Sequence, residues 1–283
     1  MNWLHLTIIA TLVSATNTLL QRYYLRDTTH DHLKTGAWYQ IMSGVFVFSF
    51  ALANGQLHIE FNTFGLLVTL VISLLWTLGG LLYFSLIRQI EVSMIALVMT
   101  TRVLFTTFVG VVFLQESLNA QQILGILCIF VGVLLVQQVR TFQMRWQAFA
   151  LTLLTAFIFG MGNIADRVAT LHMNVYLYIG LSFFIPGLLM LGILKLSKGR
   201  VYAKRGRSHV AHILLVGLLT ATTGITIVLG TIIAPTVTQV AFISQLKTVI
   251  VVACAALLLH ERTDIGHKIF AAVLCTIGLV LLA

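Results

Sequence analysis

Two cationic residues lie deep inside apolar segments, where a charge is costly. Arg102 stands in MTTRVLFTTF, within an apolar run from Val92 to Leu114, and Lys247 stands in FISQLKTVIV, within a second apolar run. Each lies about ten residues or more into its run, which is about 15 Å along a helix and near the middle of a hydrocarbon core of about 30 Å. A charge at that depth costs about 2.5–3.5 kcal/mol. Because such charges destabilise a membrane helix, we expect them to have a function. Two cations together can bind an anion.

The sequence offers few acids that could neutralise these cations. It contains eight Asp and Glu residues, and each falls in a predicted loop or near a predicted helix end. Glu91 is eleven residues before Arg102, and Asp166 lies near the outer end of its predicted helix. We therefore expect no acid beside either cation at the midplane. Either the missing counter-ion is a carboxylate or phosphate of a substrate, or the cations donate to backbone carbonyls, Gln245 or water and only hold helices together.

Polar and aromatic neighbours extend the candidate site. Met99 and Thr106 flank Arg102 on its predicted helix face, and Ser244 does the same for Lys247, because residues three or four apart share one face of a helix. These residues are candidates for the lining of a binding cavity.

An aromatic and glycine stripe marks a further predicted helix. Trp76, Gly79, Gly80 and Tyr83 follow the spacing of one helix face, which is typical either of close helix packing or of a cavity wall. We find no pattern typical of a catalytic centre, a cofactor site, a phosphate-binding loop or a metal site. The predicted substrate-binding residues are Arg102, Lys247, Met99, Thr106, Ser244, Trp76 and Tyr83.

The composition indicates a membrane protein. Of 283 residues, 59% are hydrophobic and only 9% are charged, whereas a soluble globular chain carries about 25% charged residues. The formal net charge is +9, but the basic residues stand mostly in predicted loops, where a membrane topology needs them. The charge therefore does not indicate a nucleic-acid partner, and the predicted fold class is all-α integral membrane.

Apolar runs long enough to cross a bilayer predict ten spans. Basic residues concentrate in alternate loops, and the positive-inside rule then places both termini outside and the loop between Lys195 and His209 in the cytoplasm. We expect a multi-pass protein of a prokaryotic cytoplasmic membrane, as a monomer or a homodimer. The predicted spans are 3–22, 35–54, 62–87, 92–114, 120–139, 146–167, 174–195, 209–231, 235–259 and 265–282.

The chain contains an internal repeat. An offset of 145 residues aligns Glu116 with Glu261 and also aligns the two buried cations with each other. The repeat predicts two five-helix halves, residues 1–139 and 140–283. Because each half has an odd number of spans, the second half is predicted to be inverted in the membrane. Inverted repeats of this kind are typical of transporters, with the substrate site near the midplane between the halves.

Two stretches resemble the second part of an EamA-type repeat of the drug/metabolite transporter superfamily, which consists of an apolar helix, a turn with Glu, and a Gly-containing helix. They are VSMIALVMTTRVLFTTFVGVVFLQESLNAQQILGILCIFVGVLLV and TVTQVAFISQLKTVIVVACAALLLHERTDIGHKIFAAVLCTIGLVLLA. The resemblance implies a ten-helix basket with a central cavity and alternating access. The chain departs from the family pattern at Val103 and Thr248, where Pro is frequent, and at Gln115 and His260, where Gly often precedes the Glu.

The two cationic residues indicate a class of substrate. In position and charge they are similar to basic residues of the plastid sugar-phosphate translocators in the same superfamily. We expect a secondary transporter of a small organic anion, and, without a midplane acid, exchange or facilitated movement instead of proton coupling. The alternatives are an exporter of amino acids or amphipathic drug-like metabolites, a membrane enzyme acting on lipid phosphates, and a non-transporting assembly subunit.

Overall fold

The computed structural model is predominantly helical in the part of the chain that it describes, residues 2–26, 31–58, 62–114, 119–137, 146–196, 207–259 and 265–282. These residues contain no strand, so the all-α prediction is confirmed for them. Their helices, in chain order, are α1 (Trp3–Leu25), α2 (His32–Ala53), α3 (Thr63–Gln89), α4 (Val92–Met99), α5 (Thr101–Leu114), α6 (Ala120–Gln137), α7 (Trp146–Thr170), α8 (Val175–Leu196), α9 (Arg207–Ile233), α10 (Val237–Gln245), α11 (Lys247–Leu258) and α12 (Ile265–Leu282).

Polar caps set where several helices begin. The Asp31 carboxylate accepts backbone N–H groups at the start of α2, and the Asn62 side chain does so at the start of α3. Before α6, the Asn119 side chain accepts the Gln122 N–H at 2.8 Å, while the Gln122 side chain accepts the Asn119 N–H at 3.0 Å. These bonds satisfy donors that a helix N-terminus otherwise leaves unpaired.

The helices have the length and surface of membrane spans. Eight candidate spans are long and apolar enough to cross a bilayer, and two shorter apolar helices cover Ala120–Leu135 and Gly266–Leu281. In α3 the hydroxyls Thr69, Ser73 and Thr77 are buried, whereas the opposite side is covered with exposed leucines. Polar groups inside and apolar groups outside is the arrangement that lipid requires. The chain is a multi-pass membrane protein, and the count of ten spans stays a prediction.

The predicted fourth and ninth spans are each divided into two helices. At each division a backbone N–H donates to the carbonyl three residues earlier. The distances are 3.2 Å for the N–H of Thr100 and 3.1 Å for that of Leu246. The chain therefore tightens by a single turn of 3₁₀ type, which is common where helices bend at functional positions. The predicted spans 92–114 and 235–259 therefore each contain two helices, and each pair of helices contributes one candidate span.

Helix α4 lies at the centre of the protein. All eight of its residues are buried, and the seven apolar ones join a large apolar core together with side chains from the other helices. This buried helix carries the chain directly to Thr100 and Arg102, so it positions the first of the two cations. The turn residues Glu116 and Glu261, and the predicted boundary between residues 139 and 140, lie outside the described residues.

Candidate functional site

A cavity of about 230 Å³ lies between the helices, enclosed by α1–α5 and α7–α11. The helices α6 and α12 do not line it; they pack against each other. Six of the seven residues predicted from the sequence line this cavity, namely Trp76, Tyr83, Met99, Arg102, Ser244 and Lys247. The structure thus brings both cations to the wall of one cavity.

Thr106 is the predicted residue that does not line the cavity. It is buried between α5 and α7, where its hydroxyl lies 3.0 Å from the carbonyl of Arg102 and 3.2 Å from that of Gly160. The Asn163 side chain donates to the same hydroxyl at 3.4 Å. Thr106 therefore holds two helices together beside the cavity.

Arg102 is held by residues of α7. Its Nη2 donates to the side-chain oxygen of Asn163, and its guanidinium lies 5.9 Å from the centre of the Phe159 ring. The helices approach closely here, since a Cβ added at Gly160 would stand 2.9 Å from the Arg102 carbonyl. The buried Nε of Arg102 has no hydrogen-bond partner among the described residues. One edge of the guanidinium is thus fixed, and a donor remains for a ligand.

Lys247 is held more simply. Its Nζ donates to the Ser14 hydroxyl of α1 at 3.2 Å. Lys247 and Arg102 also repel each other electrostatically across the cavity. Each cation therefore contacts the first helix of the other half of the chain, Lys247 with α1 and Arg102 with α7.

One acid, which we expected beside neither cation, lines the same cavity as both of them. Helix α7 continues to Thr170, so Asp166 lies inside the helix, where it is buried and lines the cavity. The hydroxyl of Tyr178 donates to its carboxylate at 2.5 Å, and the carboxylate attracts Arg102 electrostatically. Glu91, the other acid considered, forms an ion pair with Lys268. The described cavity wall thus contains two cations and one acid.

Several polar atoms on the cavity wall have no hydrogen-bond partner within the described part of the protein. They are Tyr39 Oη, Gln40 Oε1, Trp76 Nε1 and Gln245 Oε1. Buried polar groups are nearly always paired with protein or water. A row that mixes donors and acceptors around a cavity is therefore suited to a polar ligand.

Sequence reasoning missed a polar stripe on α1. Ser14, Asn17, Thr18 and Gln21 all line the cavity, and Asn17 donates to the Thr220 hydroxyl at 2.9 Å. Their spacing of three, four and seven residues is the pattern of a single helix face, and it could have identified them.

Comparisons with known proteins identify the family. The EamA-like transporter family matches residues 1–137 and 146–283, two stretches that begin 145 residues apart. Among curated proteins none matches the chain. A crystal structure of another protein has the same fold, with a TM-score of 0.64 and 16% identity over 97% of this chain and 99% of that one. At this identity the likeness concerns the fold alone. The chain belongs to the EamA-like transporter family.

Proposed function

We propose that this family member, a membrane transporter of the drug/metabolite type, moves a small organic anion that bears a carboxylate or a phosphate. The observation that carries the proposal is the shared cavity of Arg102 and Lys247. Counting Asp166 as ionised, the described charged groups of the wall leave one positive charge uncompensated. Two half-buried cations inside membrane helices mark a functional site by default, and an anionic ligand is the partner that would offset their charge.

The two cations suit different parts of an anion. The guanidinium of Arg102 is planar and still has a donor to offer, so it can orient a carboxylate or phosphate. Lys247 supplies a compact charge on a flexible side chain, which can follow an anion of variable shape. Trp76 Nε1 is a further donor without a partner among the described residues.

The size of the cavity favours a small metabolite. Its volume is about 230 Å³, whereas sites for drug-sized ligands measure about 300–1,000 Å³. A substrate of a few carbon atoms with one anionic group fits this space better than a bulky amphipathic drug.

The broken helices support alternating access. The breaks at Thr100 and Leu246 adjoin Arg102 and Lys247, and transporters commonly bind substrate where membrane helices are interrupted. In the proposed mechanism ten spans form two inverted five-helix halves, which rock about the central cavity and open it to one side at a time.

The proposed orientation places both termini outside and the basic loop after α8 in the cytoplasm, by the positive-inside rule. An introduced cysteine at the exposed end of α8, Lys195→Cys, tests it. Labelling of intact cells by a membrane-impermeant maleimide would contradict the orientation, and labelling only after lysis would support it.

A second candidate is an exporter of amino acids, and Asp166 is the observation that favours it. A buried carboxylate could bind the ammonium group of an amino acid while Arg102 binds its carboxylate. An amino acid should then stabilise the protein more than the deaminated acid of the same carbon skeleton does.

Ligand-dependent thermal stability in detergent tests the proposal. The panel contains sugar phosphates, carboxylates, amino acids and neutral analogues, applied to the parent chain, to Arg102→Gln and to Lys247→Gln. A ligand that binds only the folded state stabilises it by RT ln(1 + [L]/Kd). The matched control is Lys195→Gln, which removes a cation from the exposed end of α8.

We expect anions to raise the thermal stability of the parent and of Lys195→Gln. The same anions should not stabilise Arg102→Gln or Lys247→Gln. Stabilisation of all four proteins by the same anions would show that the site is elsewhere. Uptake or efflux of the identified anion in proteoliposomes would then establish transport.

A further inference from the structure

Asp166 is an acid buried in the transport cavity. Its side chain belongs to a residue that is 9% exposed, on a helix long enough to span a membrane. Two neighbours interact with its carboxylate: the Tyr178 hydroxyl donates a hydrogen bond to it at 2.5 Å, and Arg102 attracts it electrostatically. The guanidinium of Arg102 donates to Asn163. Asp166 is thus a buried acid that forms no salt bridge within the described part of the protein.

The charged and titratable groups around Asp166 come from several helices. Helix α8 provides Tyr178, and α5 provides Arg102. Tyr83 of α3, Tyr39 of α2 and Lys247 of α11 line the same cavity. The described lining residues from α1, α4, α9 and α10 contribute apolar and neutral polar side chains. Arg102 is therefore the cation that an ionised Asp166 neutralises most directly.

We propose that Asp166 is the site of a coupling proton, and that this transporter moves an anion and a proton together in the same direction. The inference rests on the proposed function, since it requires an anion bound at Arg102. A proton from water on one side binds a carboxylate oxygen of Asp166, travels with the anion, and returns to water on the other side. No covalent bond of the substrate changes.

The direction of coupling follows from electrostatic competition. While Asp166 is ionised, its charge partly neutralises Arg102 and repels an incoming anion. Once Asp166 is protonated, both cations are available, so the anion binds more tightly. By linkage the bound anion must strengthen proton binding by the same factor. For the alternative amino-acid substrate the sign reverses, because an ammonium group would compete with the proton for the same carboxylate.

A pH series of binding measurements with gluconate and pyruvate tests the linkage. Both probes keep a constant charge from about pH 5.5 to about pH 8.5, so any change in affinity comes from the protein. Titration calorimetry in two buffers of different ionisation enthalpy also counts the protons taken up on binding. The variants are Asp166→Asn, which imitates the protonated acid, and Asp31→Asn, a matched control outside the cavity that can still cap α2.

We expect the affinity of the parent and of Asp31→Asn to weaken with rising pH, by up to about tenfold per unit where one proton is linked. Asp166→Asn should bind the anion tightly at every pH and take up no proton. An anion affinity that is equally independent of pH in all three proteins would overturn the coupling proposal and leave the proposed function standing.

A second measurement does not depend on finding the substrate. Infrared difference spectra recorded between high and low pH should show the carbonyl band of a protonated carboxylic acid, and Asp166→Asn should lack one such band. If neither probe binds but the band is present, the proposed anion function fails in this form while Asp166 remains a proton site. If the spectra of the parent and Asp166→Asn agree, Asp166 takes up no proton and the coupling proposal is overturned.

Discussion

The regions around Arg102 and Lys247 occupy matching positions in the two halves of the chain, yet they are built differently. Both cations follow a tightened turn, at Thr100 and at Leu246, and both contact the first helix of the opposite half. Arg102 contacts an amide and an aromatic ring and is attracted electrostatically by an acid, whereas the Lys247 ammonium donates to one serine hydroxyl.

The difference suggests a division of tasks between the two cations. A guanidinium held along one edge can orient an anion in a fixed geometry, and Arg and Lys are not interchangeable in that role. A lysine on a single neutral contact keeps its freedom and supplies charge. Repetition thus set where the cations stand, while the neighbours that each half provides set how rigidly each is held.

The largest effect is expected from Arg102→Gln. Removing the fixed cation should lower the affinity for a bound anion by about 2–5 kcal/mol, since it removes one partner of a buried charge contact. Arg102→Lys should restore only part of the affinity, because it restores the charge without the planar fork. Titration calorimetry measures both. Equal affinity in the parent and Arg102→Gln would remove Arg102 from the site.

Lys247→Gln should have a smaller effect, about 1.5–3 kcal/mol, as expected for the loss of one charged hydrogen bond. Lys247→Arg should retain most of the affinity, in contrast to the reverse exchange at Arg102. The same calorimetric titration compares the four variants. If Lys247→Gln weakened binding more than Arg102→Gln, the proposed division of tasks would be inverted.

Gly160→Ala tests how closely α7 approaches α5, for comparison with the matching contact in the other half of the chain. The matching position is Ala15, where the other half already carries a methyl group. The added Cβ at position 160 would stand 2.9 Å from the Arg102 carbonyl, and such overpacking costs about 1–3 kcal/mol. We expect a lower Tm in detergent. The control Gly192→Ala, with no neighbour within 4 Å, should leave the Tm unchanged or slightly raised, and an equal loss in both variants would contradict the packing argument.

The smallest effect is expected from Ser14→Ala. It removes the hydroxyl that lies 3.2 Å from Lys247 Nζ. A hydrogen bond to a charged group contributes about 1.5–3 kcal/mol to the stability of the fold, but only part of this passes into ligand binding. Anion affinity should change by less than tenfold, because the lysine can turn towards the ligand. A loss as large as that of Lys247→Gln would show that Lys247 is held as rigidly as Arg102.

Only part of the candidate site could be predicted from the sequence, by the helical periodicity that places residues on faces. Met99 and Ser244, chosen for their spacing from the cations, line the cavity, while Thr106, chosen in the same way, packs between two helices. Asp166 was left out of the predicted site because it was expected at a helix end, and its helix extends beyond the predicted end at residue 167, to Thr170. Helix ends depend on local caps and packing that a hydropathy pattern does not contain.

The sequence by itself determined that this is an all-helical membrane protein and that two cations stand at matching places in its halves. Those conclusions rest on composition, periodicity and the cost of charge in lipid, all of which belong to the linear chain. Only the tertiary structure decided that Asn163 holds Arg102, that Ser14 holds Lys247, and that Asp166 shares their cavity. These partners are far apart in the chain, and the electrostatic energy that relates them depends on distances between atoms that only packed helices set.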